Sequence, residues 1–129
     1  MSTQLKDKVA IVTGAGQGIG KAIAFDLASN GAAVLVTDLD YKSAQKTRTL
    51  IGTNSEYMQV DVANLDDVQR MIDTCLKKFS KLDILINNAG VTRFVDIMGV
   101  TVEDWDLMHS VNARGTFFAM QFAAKQMME

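Results

Sequence analysis

The sequence predicts an α/β fold built on a doubly wound parallel sheet. Short apolar runs of strand length alternate along the chain with segments of helical periodicity. The apolar runs are nearly continuous, as expected of parallel strands that are covered by helices on both faces. Strands that alternate with helices favour right-handed crossover connections. The predicted order is therefore βαβαβαβ, followed by further helices.

Four apolar runs are the predicted strands. The first two are rich in β-branched residues, a composition typical of strands. The third run is weaker and the fourth is short. The runs are VAIV at 9–12, AVLVT at 33–37, EYMQV at 56–60 and ILI at 84–86.

Segments with helical periodicity lie between and after these strands. The first follows a glycine-rich stretch and meets a stop signal at Asn30-Gly31. The second is weak, the third places its apolar residues on one face, and the last is interrupted near residues 112–115. The second, third and last segments cover about 42–51, 64–79 and 101–129.

Composition excludes several classes of function. The chain has 129 residues, of which 48% are hydrophobic and 22% charged, and this suits one globular domain. A net charge of −2 argues against nucleic acid or an anionic membrane as partner. The sequence has no apolar run of membrane-spanning length and no apolar signal region near its start. The single Cys75 fits a reducing compartment, so we expect a soluble cytoplasmic protein.

Four of the nine glycines alternate within GAGQGIG, residues 14–20, between the first strand and the first helix. A glycine-rich turn in this position brings the N-terminus of a helix close to a phosphate, where backbone N–H groups and the helix dipole favour an anion. The spacing differs from G-x-G-x-x-G because position 19 is isoleucine. Taken alone, the stretch is also compatible with a flexible turn.

Asp38 directly follows the second strand, 18 residues after Gly20. A carboxylate in this position accepts hydrogen bonds from an adenosine ribose and repels a 2′-phosphate, so it favours NAD over NADP. The alternative is a surface aspartate in a turn, of which Asp40 is a nearby example.

Polar residues also follow the third and fourth strands. Asp61-Val62 could read the edge of an adenine, although Asp61 could equally cap the following helix. Asn87-Asn88-Ala89-Gly90 follows the fourth strand, where open α/β sheets bind their ligands, although asparagine is also common in turns.

Taken together, these motifs resemble the short-chain dehydrogenase/reductase family. The pattern Thr13-Gly14-x-x-x-Gly18-x-Gly20 is followed by Asp38, Asp61-Val62, the NNAG tetrapeptide at 87–90 and Asn112, in the order and spacing of the family. The resemblance covers the whole chain, and the combination of TGxxxGxG with NNAG is highly specific. It implies a Rossmann-like fold and reversible hydride transfer between a nicotinamide and an alcohol or ketone.

The resemblance also implies roles for individual residues. The glycine-rich loop would cradle the pyrophosphate of NAD, Asp38 would bind the adenosine ribose, and Asp61 and Val62 would hold adenine. Asn112 resembles the active-site asparagine, whose backbone contacts a water of the proton relay. The implied cofactor-binding residues are Gly14, Gln17, Gly18, Ile19, Gly20, Asp38, Asp61, Val62, Asn88, Ala89, Gly90 and Val111, and the implied catalytic residue is Asn112.

The sequence departs from the family in its catalytic pair. The family places a serine and a Tyr-x-x-x-Lys pair after the helix that contains Asn112, whereas Tyr41 is followed by Gln45 and Tyr57 by Asp61. We therefore expect residues 1–129 to form an incomplete NAD-binding domain, truncated after that helix and lacking the catalytic part.

Two surfaces support this expectation. In the strand order that the resemblance implies, the fourth strand would lie at a sheet edge. The last helix is apolar nearly all round, and it resembles the helix of the family that contacts another subunit in dimers and tetramers. A homo-oligomer is therefore expected. Two alternatives remain open. The chain could be a non-catalytic nucleotide-binding or interaction module that dimerises through this helix and the open edge, or it could be an artificial or proteolytic fragment.

Three other residues have simpler interpretations. His109 lacks a second histidine or a cysteine cluster, so a helix surface is expected rather than a metal site. Cys75 lies on an apolar helix face and is expected in the core. Arg93 could contact substrate or a neighbouring subunit, or lie in a solvated loop.

Overall fold

The computed structural model describes residues 2–92 and 96–129, and within them it contains a parallel sheet of four strands in the order β3-β2-β1-β4. In the sheet, Ile11 of β1 lies opposite Leu35 of β2 on one side and Leu85 of β4 on the other. The predicted strands are confirmed to within about one residue, and the fourth strand lies at an edge as expected. The strands are β1 Val9–Val12, β2 Ala33–Asp38, β3 Ser55–Gln59 and β4 Ile84–Ile86.

Five α-helices connect and follow the strands in the described part of the chain. The predicted interruption near 112–115 is a π-helical segment, Ser110–Gly115, which widens the helix and keeps the chain helical. A 3-10 turn, Ile97–Gly99, precedes the fourth helix. The α-helices are α1 Gly18–Ser29, α2 Tyr41–Ile51, α3 Leu65–Phe79, α4 Val102–His109 and α5 Thr116–Met127.

None of the helices in residues 2–92 and 96–129 is both long enough and apolar enough to cross a membrane.

The two faces of the sheet are buried against different helices. Ile11 and Leu35 belong to a core that includes residues of α3 and α5. Val12, Val34 and Val36 point to the opposite face, where the core includes residues of α1 and α2. The near-continuous apolar strands are thus explained by helices on both faces, as predicted.

The start of each of three helices is fixed by a side chain that accepts hydrogen bonds from the first backbone N–H groups. Asp40 caps α2, Asn64 caps α3, and Thr101 with Asp104 forms a capping box at α4. Among the described residues, no side chain caps α1 at Gln17. The unpaired N–H groups of α1 are therefore available to a ligand.

The exposed surface includes two apolar features. The strand β4 consists of three half-buried apolar residues at one edge of the sheet. The helices α4 and α5 expose Trp105, Phe117 and Met120, each half or more exposed to solvent. His109 is exposed as predicted and stacks on Trp105, with ring centroids 4.0 Å apart.

Cys75 is fully buried between α3 and the sheet, which confirms the expected core position. Burial, with a smaller contribution from the negative charge of Asp83, raises the pKa of the thiol to about 12. Since the thiolate is the reactive form, the folded protein keeps this thiol inert at neutral pH.

We expect Cys75 to react with a thiol reagent at pH 8 at least about a hundredfold more slowly in the native protein than in denaturant, because reaction requires opening of the core. Stopped-flow labelling over a urea series would measure this, with a short cysteine peptide as the unprotected control. Rapid labelling of the native protein would show that the α3 side of the core is open.

A cleft at the carboxyl ends of the strands

A cleft of about 520 Å³ lies at the carboxyl ends of the strands. It is at the point in the sheet where the chain, having built β2 and β3 on one side of β1, crosses to place β4 on the other. Open α/β sheets bind ligands at such a switch point. The lining residues are Gly14, Gln17, Gly18, Ile19, Thr37, Asp38, Leu39, Val60, Asp61, Val62, Asn88, Ala89, Gly90, Val91 and Val111.

The structure brings together all the predicted cofactor-binding residues except Gly20. Asn112 also lies off the cleft, and Arg93 is outside the described residues. The sequence analysis did not predict four further lining residues, Thr37, Leu39, Val60 and Val91. Each lies at the carboxyl end of a strand or beside one of the motifs, and this position could have identified them.

The glycine-rich loop forms one wall of the cleft. Gly14 and Gly18 have φ angles of +61° and +57°, in the left-handed region that favours glycine. Apart from Gly18 itself, its chain neighbours and the adjacent backbone of α1, no atom of the described residues lies within 4 Å of the position that a Cβ at Gly18 would take. The loop therefore presents bare backbone and the uncapped start of α1 to the cleft.

Gly20 allows α1 to pack closely against the glycine-rich loop and the loop that follows β4. It lies inside α1, and a Cβ there would collide with the carbonyl oxygen of Gly14 and the side-chain nitrogen of Asn88. The absence of a side chain lets α1 approach the loop that follows β4.

A hydrogen-bond network centred on Thr13 joins the ends of β1 and β4. The Thr13 hydroxyl, which is buried, accepts from the backbone N–H groups of Asn88 and Ala89, both at 3.0 Å. The side-chain nitrogen of Asn88 donates to the carbonyl oxygens of Thr13 and Gly14, both at 3.1 Å. These bonds fix the position of the loop 87–90 against the glycine-rich loop.

Asp38 has a defined orientation at the end of β2. The backbone N–H of Gly16 donates to Oδ2 at 2.9 Å, and the backbone N–H of Asp40 donates to Oδ1 at 2.9 Å. The carboxylate is half-buried and lines the cleft. Asp40 itself caps α2, where hydrogen bonds from Ser43 lower the pKa of its carboxyl group.

Asp61 and Val62 are positioned by the turn that leads into α3. The Asp61 carboxylate accepts from the N–H of Ala63 at 2.9 Å, while Asn64 caps the helix, so the alternative that Asp61 is the cap is wrong. The backbone N–H of Asp61 donates to Asp67 at 3.0 Å. This bond is the main reason that the pKa of Asp67 is lowered, with Arg70 contributing less.

The side chain of Asn112 holds Val91 rather than entering the cleft. Its Oδ1 accepts from the Val91 N–H at 2.9 Å, and its Nδ2 donates to the Val91 carbonyl oxygen at 2.6 Å. Asn112 belongs to the π-helical segment, so the widened turn and the wall of the cleft are directly connected.

The two tyrosines lie away from the cleft and bond to each other. Their hydroxyl oxygens are 2.9 Å apart, and neither residue is among the lining residues. The hydrogen bond with Tyr41 raises the pKa of Tyr57, the opposite of what an acid/base tyrosine requires.

Within residues 2–92 and 96–129, no three or more His, Cys, Asp or Glu side chains lie close enough together to hold a metal ion.

We expect Thr13→Val to destabilise the protein by about 2 to 3 kcal/mol, because it leaves the half-buried N–H groups of Asn88 and Ala89 without their acceptor. The matched control is Thr37→Val. The buried Thr37 hydroxyl donates to the Val12 carbonyl oxygen at 3.1 Å and accepts no hydrogen bond from the part of the chain that the structure describes, so its loss should cost about 1 kcal/mol. Urea unfolding would compare the two variants. Equal losses in the free energy of unfolding would show that the Thr13 network stabilises the protein no more than a single hydrogen bond does.

Comparison with known proteins gives a consistent result. A family profile described as short chain dehydrogenase matches residues 8–129. A short-chain dehydrogenase/reductase of Armillaria gallica is 40% identical over 125 residues, which are 93% of this chain and 48% of that protein. The 3-oxoacyl-[acyl-carrier-protein] reductase of Synechocystis is 38% identical over 131 residues, covering 98% and 53%.

A solved structure shows the same architecture. It is the 3-ketoacyl-(acyl-carrier-protein) reductase of Brucella melitensis complexed with NADH, which matches with a TM-score of 0.92 and 33% identity, covering 95% of this chain and 51% of that one. The chain belongs to the short-chain dehydrogenase family and has its Rossmann-like fold. It spans about half the length of the relatives it matches.

Proposed function

We propose that this chain is the NAD-binding part of a short-chain dehydrogenase/reductase that oxidises an alcohol or reduces a ketone. One observation carries the proposal. The bare backbone of the glycine-rich loop and the fixed carboxylate of Asp38 face the same cleft. A ligand that carries a phosphate and a ribose could place the phosphate at the loop backbone and the ribose hydroxyls at the Asp38 carboxylate.

The residues of the cleft fit a dinucleotide. A volume of about 520 Å³ is within the usual range for cofactor sites. Gly18 leaves open space where a side chain would stand, and the start of α1 offers N–H groups to an anion. The Brucella relative, whose structure contains NADH, has this fold at 33% identity.

Each wall of the cleft would have a separate task. The loop from Gly14 to Ile19 would bind the pyrophosphate, Asp38 the hydroxyls of the adenosine ribose, and Asp61 with Val62 the adenine. Ala89, Gly90 and Val111 would line the nicotinamide half and exclude water from it. When bound, NAD supplies the ring that accepts or donates the hydride.

Asn112 would act through its backbone. Its side chain is engaged with Val91, so the contact to a water of the proton relay that the resemblance implies would come from its backbone. By holding Val91, the side chain would also define the edge of the nicotinamide half.

The proton-transferring tyrosine and lysine would come from outside residues 1–129. Tyr41 and Tyr57 do not suit this role, because neither lines the cleft and their hydroxyls bond to each other. This hydrogen bond also raises the pKa of Tyr57. We therefore propose that the 129-residue chain by itself binds NAD but does not catalyse, and that the complete enzyme includes a serine and a Tyr-x-x-x-Lys pair. A reading frame without these residues after the codon for Glu129 would remove the enzymatic proposal and leave the binding module.

We expect NAD to bind more tightly than NADP, and Asp38→Asn to reduce the ratio of the two affinities by about tenfold, because a charge-assisted bond to the ribose and the repulsion of a 2′-phosphate are both lost. Isothermal titration calorimetry with NAD⁺ and NADP⁺ would measure the ratio. The matched control is Asp26→Asn, which also removes one negative charge, at an exposed position of α1 outside the cleft lining. An unchanged ratio in Asp38→Asn would refute the assignment.

We also propose a homo-oligomer, dimer or tetramer, formed through the exposed helical face that comprises Trp105, Phe117 and Met120. An apolar surface of this kind favours a protein partner. The same face would serve a non-catalytic module that dimerises, so it does not distinguish the two functions.

We also propose that the protein is cytoplasmic, because its single cysteine, Cys75, is a free and buried thiol, as is typical of a reducing compartment.

Light scattering after size exclusion should give a defined oligomer for the parent and a smaller species for Phe117→Glu, since a buried unpaired carboxylate opposes association. Met98→Glu is the control, because Met98 is 88% exposed in the 3-10 turn, outside this face. If both variants kept the mass of the parent, the helical face would not be the interface.

A further inference from the structure

We propose that Gly16, Ser43 and Thr47 form a brace that fixes the direction of the Asp38 carboxylate and so sets the preference for NAD over NADP. This inference rests on the proposed NAD site. None of the three residues is among those that line the cleft, so they would act as positioning residues, through Asp38 alone.

Gly16 has no room for a side chain. A Cβ there would lie 2.6 Å from Cβ of Ser43 and 2.8 Å from Oδ2 of Asp38, both well inside van der Waals contact. Its φ angle is outside the left-handed region, unlike those of Gly14 and Gly18. The requirement for glycine at position 16 is therefore steric, and Asp38 and Ser43 impose it.

The peptide groups of Gly16 are held on two sides. The N–H donates to Oδ2 of Asp38 at 2.9 Å. The carbonyl oxygen accepts from the hydroxyl of Thr47, a buried residue of α2, at 3.3 Å. The glycine-rich loop is thus tied to α2 on one side and to the carboxylate on the other.

The N-terminal end of α2 completes the brace. The N–H of Asp40, its cap residue, donates to Oδ1 of Asp38 at 2.9 Å. The hydroxyl of Ser43 donates to the Asp40 carboxylate at 2.9 Å. Residues 40, 43 and 47 recur at helical spacing, so one side of α2 meets the loop and the carboxylate together.

A side chain at position 16 would therefore change cofactor choice as well as affinity. The Cβ displaces either the carboxylate or α2, and in both cases the two N–H groups no longer hold both carboxylate oxygens. The ribose hydroxyls of NAD then lose a well-placed acceptor, and a 2′-phosphate meets less repulsion. Binding of the pyrophosphate, which the two cofactors share, does not affect the ratio.

The first test is Gly16→Ala in the purified protein, with the affinities for NAD⁺ and NADP⁺ measured by calorimetry. We expect the affinity ratio to fall about tenfold, as for the loss of one charge-assisted hydrogen bond. Ser43→Gly removes one of the two collisions, so Gly16→Ala should lower the ratio less in a Ser43→Gly background than in the parent protein.

The second test needs no added bulk. Thr47→Val removes the hydroxyl that holds the Gly16 carbonyl oxygen, and the ratio should fall about threefold. The matched control is Thr49→Val in the same helix. Among the described residues, its exposed hydroxyl bonds only to the carbonyl oxygen of Gln45, and the ratio should not change. If Gly16→Ala does not fold, this pair still decides the question.

The outcomes separate the brace from the binding site. If the parent protein prefers NAD but Gly16→Ala and Thr47→Val lower both affinities equally, the brace is wrong and the NAD site remains. A ratio in Thr49→Val that falls as far as in Thr47→Val also refutes the brace. If the parent binds neither cofactor, the proposed function fails, and the brace fails with it.

Discussion

The buried hydroxyl of Thr13 is the constraint on which the rest of the site depends. It accepts hydrogen bonds from two backbone N–H groups of the loop after β4. In the same loop, the side-chain nitrogen of Asn88 donates to the carbonyl oxygens of residues 13 and 14. Two loops more than seventy residues apart in sequence are thereby locked together. Their separation defines the width of the cleft, and Gly20 brings α1 to the same junction.

Most polar side chains around the cleft hold backbone and leave little for a ligand. Asn88 bonds to residues 13 and 14, Asp67 to the N–H of Asp61, and Asn112 to both backbone groups of Val91. The proposed contacts to NAD are consequently made largely by backbone groups and apolar surface, with Asp38 as the main charged group. This division explains why one carboxylate would decide between two cofactors that differ by one phosphate, and why its orientation matters.

The strands and the place of the cleft could be predicted because they follow from local patterns, whereas the edge position of the fourth strand was implied only by the family resemblance. Buried parallel strands are continuous apolar runs, and residues directly after them meet at one edge, so Asp38 and Asp61 were found by position alone. The contacts of Gly16, Asp67 and Asn112 could not be predicted in this way. Each pairs with a residue whose distance and direction depend on how a helix packs, as with Gly16 and Asp38, which are 22 residues apart. The π-helical segment was visible only as an interruption, because one-residue changes in helical pitch leave no clear periodicity.

The most direct measurement of the central claim is a crystal structure of the protein grown with NAD. The account predicts pyrophosphate oxygens at the backbone N–H groups of the glycine-rich loop and the start of α1, with the adenosine ribose hydroxyls within hydrogen-bonding distance of Asp38. Adenine should lie beside Asp61 and Val62, and nicotinamide towards Val91 and Val111. A nucleotide bound elsewhere, or one whose ribose avoids Asp38 while the cleft stays open, would contradict the account.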